Sequence, residues 1–412
     1  MARAVLPPTA GILRDRALRV LLALYLATAV AVALQRTLLS RENNFVILRA
    51  AFDHLIAGQD LYAAYPALHT DFFKYSPTFA FLFAPFALLP IVPGYILWAA
   101  TCAMAVFSGV ASLLPARQAT VALALAWISV VGDLQRSQSN ALCAGLMILA
   151  FAAFERQGQW RASATIVIGA FVKIFPLAAI TGVVFHPRKA RFAGVFVAVA
   201  VAGIALPLLV VSPDSLLMQY RSWYAIETLD AAPLARYGTG GADLYAGLMG
   251  QFRVWWGVQW PHWPTQLAGL VLLLLPLAWQ RRRWTDGLFR VRFLASTLVF
   301  CVLFNHQAES PSFSIAMIGA CVWFAASERA WWRTLLLAFA LVVVNLGSTD
   351  LLPRSLYHAY YVKYLLKTLP LIPLWLAMQG ELLGLIPTGR RSEPAEADEL
   401  DVPAGESLTH RG

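Results

Sequence analysis

The sequence predicts an all-α polytopic membrane protein, and three observations carry that reading. Of 412 residues, 59% are hydrophobic and only 13% charged, about half the roughly 25% charged content of soluble domains. Apolar runs recur from Val20 to Ile386 and bring the mean hydropathy to +0.64, which excludes both a soluble globular protein and a soluble domain on a single anchor. The runs are continuously apolar for about 13 to 23 residues, whereas membrane barrel strands alternate over about 10. Backbone groups in hydrocarbon must be satisfied within their own segment, so such runs span as helices.

The first apolar segment, Leu18 to Leu34, follows Arg3, Arg14 and Arg16 and reads as an uncleaved helix with a cytoplasmic N-terminus, although triplets such as Ala29-Val30-Ala31 resemble a signal-peptidase site. Further spans are expected over Gly94 to Leu114, Ala119 to Val131, Ala141 to Phe154, Ala162 to Phe185 and Phe192 to Val211, then Thr265 to Trp279, Leu288 to Phe304, Phe313 to Ala326, Thr334 to Leu346 and Val362 to Ile386. Ser76 to Val92 is also apolar but is broken by Pro77, Pro85 and Pro90.

Basic clusters orient these segments. Arg188, Lys189 and Arg191, then Arg281 to Arg283, Arg329 with Arg333, and Arg390 with Arg391 alternate correctly if all are cytoplasmic. The net charge of +10 is thereby a topology signal, not a nucleic-acid surface. The loops Ser40 to Tyr75, Ser212 to Pro264, His306 to Pro311 and Gly347 to Tyr361 then face outward.

Two arrangements of the first half each give about 12 spans. In one, Ser76 to Val92 crosses and Ala162 to Phe185 is a single helix. In the other, Ser76 to Val92 lies at the interface and Ala162 to Phe185 is a tight hairpin turning at Lys173 to Pro176. The second is preferred because it gathers Asp133 to Asn140 and Lys173 on the same side as the first loop. Residues 1–387 thus form one transmembrane domain. The tail 388–412, with six acids, three arginines and no aromatic residue, buries too little apolar surface to fold and reads as a disordered cytoplasmic segment.

The first outward loop is dense in polar and aromatic groups. Phe45, Leu48, Phe52, Leu55 and Ile56 fall at helical spacing, with Arg49 and Asp53 off that face, which predicts an amphipathic helix lying in the membrane interface and stopped by Gly58. Connecting loops are usually short, so this density argues for function. Lys173 stands within an otherwise apolar run, where an ammonium costs roughly 2.5 to 3.5 kcal/mol on insertion scales and needs a partner or a wet cavity. His306 and Glu309, three apart in a polar break between spans, can face one cavity. Arg136, Gln138 and Asn140 offer groups able to orient a phosphate or sugar hydroxyls. Trp255, Trp256, Trp260 and Trp263 read as interfacial anchors or as a stacking surface for an acceptor sugar. Cys102, Cys143, Cys301 and Cys321 all lie in apolar runs, where cysteine acts as a small hydrophobe, and no spacing suggests a metal site.

Several of these stretches together resemble a known family. Asn43-Asn44-Phe45, Leu48-Arg49-Ala50-Ala51-Phe52, Gly58-Gln59-Asp60-Leu61-Tyr62 and Lys74-Tyr75-Ser76-Pro77-Thr78-Phe79 are similar to the start of glycosyltransferase family 87. Gln135 to Asn140, Lys173-Ile174-Phe175-Pro176 and His306-Gln307-Ala308-Glu309-Ser310-Pro311 follow in the family's order. The resemblance, over roughly residues 15 to 385, implies a GT-C membrane fold and a polyprenyl-phosphate-sugar donor, with mannose or a related hexose or pentose moved to a lipid or glycan acceptor. It implies an active side on the outer face of the cell (inner or plasma) membrane and no nucleotide, metal or other cofactor. The expected partners are that donor, the acceptor and membrane lipids, with no nucleic acid.

The chemistry needs a base for the acceptor hydroxyl, cations for the leaving phosphate and a greasy groove for the polyprenyl tail. Arg49, Lys74, Tyr75, Arg136, Gln138, Asn140 and Lys173 are the expected substrate-binding residues. The family's usual first-loop acid aligns with Asn44, and an amide is no base at neutral pH. Asp71 ranks first as replacement because it abuts Lys74 and Tyr75. Glu42, Asp60, Glu309 and its neighbour His306 are the other candidates. A lipid or sugar transporter, or a catalytically silent relative of the family, is the alternative function.

Overall fold

The computed structural model describes residues 15–230, 245–258, 260–346 and 353–387. The tail from Thr388, the residues before Asp15, and Arg236, Tyr237 and Asp243 of the long loop lie outside them. The described residues are helical, with no strand among them. Five helices are long and apolar enough to cross a membrane, and several shorter apolar ones accompany them.

The first, α1 (Arg16–Leu38), is capped by the Asp15 carboxylate, which accepts from Leu18 N at 3.0 Å. Its buried stripe of Leu18, Leu21, Tyr25, Ala29 and Val32 follows the helical repeat, while Val20, Leu24 and Val30 stay exposed. One face is therefore for protein and one for lipid. α2 (Asn43–Ile56) is the amphipathic helix expected in the first loop, ended by Gly58 at φ +66°, a conformation that favours glycine.

Most of its apolar face is packed against protein, with Ile56 left exposed. Phe45 stacks on Tyr95 at 4.9 Å and meets Phe83 at 5.8 Å, and Leu48, Phe52 and Leu55 are buried with it. The covering shelf is α3 (Pro77–Leu82) and α4 (Ala84–Ala87), followed by α5 (Ile91–Leu113). Ser76 caps α3 by accepting from Phe79 N at 3.1 Å, with Pro77 preset at the first helical position. At 1.5 Å per residue these two helices reach about 9 and 6 Å, too short to span, so Ser76 to Val92 does not cross as one helix.

Behind them α6 (Ala116–Gln135) and α7 (Asn140–Glu155) join at a polar turn. α5 and α7 pack backbone to backbone: a Cβ on Gly145 would lie 2.3 Å from the Ala105 carbonyl carbon. Membrane helices approach this closely only through small residues. α8 (Gln159–Val172) returns toward the polar turn and breaks at Lys173, which is extended at φ −148°, ψ 154°. A 3₁₀ stretch, Phe175–Phe185, then folds back; Pro176 packs on Gly169, and Phe185 packs among Trp284, Phe289 and Phe293. Ala162 to Phe185 is thus the expected hairpin. α9 (Lys189–Ala205) rises again, continued by a 3₁₀ turn Leu206–Leu209, and Gly203 meets the Phe171 ring.

The second half runs through α10 (Pro213–Asp230), α11 (Leu248–Trp256), α12 (His262–Trp279), a 3₁₀ turn Arg281–Thr285, α13 (Gly287–Leu303), α14 (Phe313–Ala326), α15 (Trp331–Leu346), the short α16 (Arg354–Leu356) and α17 (Leu371–Leu383). The expected continuous helix over Val362 to Ile386 is interrupted. A π-helical turn occupies Tyr357–Val362, turns follow, and regular helix resumes only at Leu371. Lys367 explains part of this, because its ammonium is drawn inward to the Ser310 carbonyl at 2.9 Å and hydroxyl at 2.8 Å.

Three of the basic clusters, those at Arg188 to Arg191, Arg281 to Arg283 and Arg329 with Arg333, collect at one end of the bundle, while Arg390 and Arg391 lie outside the described residues. There Arg290 donates to Glu155 Oε2 at 2.6 Å, Lys189 sits 5.7 Å from the Trp284 ring, and Arg333 donates to Glu381 at 2.6 Å. The polar turn, the hairpin tip and the first loop lie at the other end.

Candidate functional site

At that second end the loops enclose a cavity of about 760 Å³. The first loop forms one wall with Asn44, Asp71, Phe72, Lys74 and Tyr75, and the break after α8 contributes Phe171, Lys173 and Phe175. Residues 305–312 supply His306, Gln307 and Glu309 opposite, while α10 adds Trp223, Tyr224 and Glu227. An apolar flank is made by Val167, Ala170, Phe196, Ala200 and Ile204 of α8 and α9.

The walls are fastened to one another by polar side chains. Ser76 Oγ donates to the Phe171 carbonyl at 2.7 Å, tying the first loop to the end of α8. Gln219 on α10 accepts from Leu61 N at 3.0 Å and donates to the Gln59 carbonyl at 2.7 Å. A buried amide that completes two loop backbone groups in this way fixes the loop against the helix. Tyr62 adds a donation to the Tyr75 carbonyl at 2.7 Å.

The floor of the cavity is a cation on a polar network. Lys173 Nζ donates to Asn140 Oδ1 at 2.9 Å and to Gln138 Oε1 at 3.4 Å, and lies 5.9 Å from the Tyr75 ring centre. Asn140 in turn donates from Nδ2 to Asp133 Oδ1 at 2.9 Å, while Ala141 N donates to Asp133 Oδ2 at 2.8 Å. Asp133 and Asn140 are fully enclosed, so their alignment is set by packing and not by solvent. Glu309 lies within electrostatic reach of both Lys173 and Tyr75.

Asp71 is the more open carboxylate, its side chain 55% exposed, 3.8 Å from Lys74 Nζ and accepting from Phe72 N at 2.8 Å. On the far wall His306 is stacked on His262 at 5.2 Å, and its Nδ1 is 3.1 Å from Gln266 Nε2. Burial first and then the His262 ring push its pKa below the usual imidazole value.

Of the residues singled out in the sequence, Asn44, Asp71, Lys74, Tyr75, Gln138, Lys173, His306 and Glu309 share this one cavity. Five other candidates, Glu42, Arg49, Asp60, Arg136 and Asn140, do not line it, and Asp60 instead accepts from Tyr62 N at 3.1 Å. Arg49 turns away and donates to the Leu89 carbonyl at 2.6 Å, which braces the shelf under α2. Arg136 lines a separate pocket of about 20 Å³ beside Lys367. Asn140 stands behind Lys173 instead of facing the cavity. Sequence reading missed Asp133 and Glu227. Asp133 carried a usable signal, since a carboxylate beside apolar helix in a membrane protein is a functional candidate by default.

The family model for glycosyltransferase family 87 matches residues 72–305, from the end of the first loop to the start of the His306 segment. The chain belongs to glycosyltransferase family 87. As a member of family 87 it is a membrane glycosyltransferase. Among curated proteins none matches it. A solved structure, ArnT from Cupriavidus metallidurans bound to undecaprenyl phosphate, superposes with a TM-score of 0.38 at 13% identity, covering 88% of this chain and 76% of that one. Within the family 87 match fall Lys74, Tyr75, Asp133, Gln138 and Lys173, while Asp71, His306 and Glu309 lie just outside its two ends and Asn44 well before it. The cavity is therefore built partly by the family segment and partly by its flanks.

Proposed function

We propose that this family 87 enzyme transfers mannose or a related hexose or pentose from a polyprenyl-phosphate donor to a hydroxyl of a lipid or glycan acceptor. The observation that carries the reading is the union in one cavity of a half-buried ammonium, Lys173, with an open carboxylate, Asp71, and an apolar flank. That flank continues onto surface side chains of α9 and the hairpin tip, Val197, Val201 and Ile174, a path suited to a lipid tail.

The acceptor oxygen attacks the anomeric carbon, the bond from that carbon to the donor phosphate oxygen breaks, and its electron pair leaves with the polyprenyl phosphate. Lys173, with Lys74 nearby, stabilises the charge gathering on that phosphate. The acceptor proton goes to Asp71, an exposed carboxylate that lines the cavity. Glu309, within electrostatic reach of Lys173, and His306 on the far wall hold sugar hydroxyls by hydrogen bonds. Gln138 and Tyr75 complete the donor side. The basic clusters at the opposite end support a plasma or inner membrane orientation with the cavity extracytoplasmic.

The test is transfer in proteoliposomes containing the purified protein, labelled polyprenyl-phosphate mannose and a lipid extract as acceptor pool. Label entering the acceptor fraction, and its loss in Lys173→Ala with insertion intact, is the expected result. Label that crosses the bilayer while still attached to polyprenyl phosphate, with no glycosylated product, would make the protein a flippase and overturn the proposal.

A further inference from the structure

The Asp133 carboxylate makes no direct contact with the Lys173 ammonium; Asn140 stands between them. The amide has only one orientation that serves both neighbours. Its Nδ2 is a donor and faces the carboxylate at 2.9 Å, and its Oδ1 is an acceptor and faces the ammonium at 2.9 Å. Asp133 is itself held by the Ala141 amide at the start of the sixteen-residue α7 and by the Ser314 hydroxyl at 3.3 Å. With Asn140 Nδ2 these are all donors, so the enclosed carboxylate is an acceptor on every side and is held in place by packing. We infer that Asp133 is a positioning residue for the donor phosphate: through Asn140 it aims Lys173 into the cavity while leaving the ammonium's charge available to a phosphate. The inference rests on the proposed contact of Lys173 with that phosphate.

The reason for an interposed amide is electrostatic. A carboxylate paired directly with Lys173 would compete with the phosphate for the same protons. A neutral acceptor polarised by a carboxylate fixes the direction of the ammonium without neutralising it. An ammonium has three protons to donate, and among the described residues Lys173 spends them on Asn140 and Gln138, which leaves one for the cavity it lines. α7 thereby serves α8: the lysine's direction is set from a different helix, across 33 residues of sequence.

The test is a double-mutant cycle read in two ways, by KM and kcat for the labelled donor and by equilibrium binding of a sugar-free polyprenyl phosphate in detergent. Asp133→Asn is expected to raise donor KM and the dissociation constant of the sugar-free lipid about ten-fold, with kcat at saturating donor changed less than about three-fold. Asn140→Ala, which leaves the Asp133 to Ala141 bond in place, should reproduce the defect and covers the case in which Asp133→Asn fails to fold. In a Lys173→Ala background, Asp133→Asn should have no further effect on lipid binding. Equal additional loss in that background, or loss confined to kcat, would mean that Asp133 merely caps α7 and would overturn the inference. If Lys173→Ala itself leaves lipid binding unchanged, the proposed function of Lys173 fails first. If Lys173→Ala weakens binding and neither Asp133→Asn nor Asn140→Ala does, the relay alone is wrong.

Discussion

Asn44 Nδ2 donates to the Arg136 carbonyl at 2.7 Å, joining the start of the first-loop helix to the polar turn between α6 and α7 although 92 residues separate them. The amide expected from the sequence to occupy the family's acidic position is therefore a structural tie. A carboxylate there would face a carbonyl oxygen with no proton to offer. Asn44→Asp is expected to lower stability by about 1 to 3 kcal/mol and to leave sugar transfer unimproved, as measured by thermal unfolding in detergent and by the transfer assay. A sharp gain in transfer would mean that the chain is a weakened relative whose lost acid belongs at position 44.

With Asn44 occupied in this way, the proton must go elsewhere. Asp71→Asn is expected to reduce kcat by about 10²- to 10⁴-fold, the usual contribution of a general base, with donor KM changed little. Glu309→Gln should have a smaller effect that includes donor KM, because Glu309 lies in electrostatic reach of Lys173. Steady-state kinetics separate the two, since loss of a base weakens the transition state more than the bound donor. Wild-type turnover in Asp71→Asn removes Asp71 from the mechanism.

Stability should fall on mild acidification. Burial is the main cause that lowers the pKa values of His54, stacked 3.8 Å from Tyr65, of His186 and of His306 below their usual 6.5. Below about pH 6.5 the unfolded chain binds protons at these rings that the folded protein resists, so the unfolded state gains and stability declines as pH drops further. The penalty is absent above that pH. Unfolding temperatures between pH 7.5 and 5 check this, and His54→Phe, which removes one titrating ring from a stacked position, should flatten the dependence. An unfolding temperature that rises toward pH 5 would contradict it.

At the basic end, Glu381 accepts from Arg333 Nε at 2.6 Å and Trp323 Nε1 at 2.9 Å and pairs with Arg292 Nε at 3.3 Å, all three charged side chains being enclosed. The carboxylate joins α13, α14, α15 and α17. Glu381→Gln leaves two buried guanidinium groups without a counter-charge and is expected to cost about 3 to 5 kcal/mol, seen as loss of folded protein in detergent. Replacing all three charged residues together with apolar ones of similar size should be far better tolerated, because no uncompensated charge remains. Equal yields for the single and triple variants would refute this account.

The helical, polytopic character, the family and most helix positions were legible in the sequence, because a bilayer imposes its rule residue by residue: an apolar run must close its own hydrogen bonds. The hairpin at Lys173 was legible for the same reason, since a cation followed by Pro176 cannot sit in mid-membrane helix. The sequence also drew the right polar loops toward one end, and eight of the residues it singled out line one cavity. Which side of each loop faces the cavity was decided only by tertiary structure. Gln138 and Asn140 are two apart in one polar turn, yet the first lines the cavity and the second is sealed behind Lys173. Arg49 lies on the same helix as Asn44 and points to a carbonyl of the shelf instead. The roles of Asp133 and Asn44 depend on partners 7 and 92 residues away, and those partners arrive through the turn that joins α6 to α7 and through the docking of the start of α2 on that turn. A local pattern records how apolar each segment is; the direction of a buried polar side chain follows from which distant donor or acceptor the folded chain brings beside it.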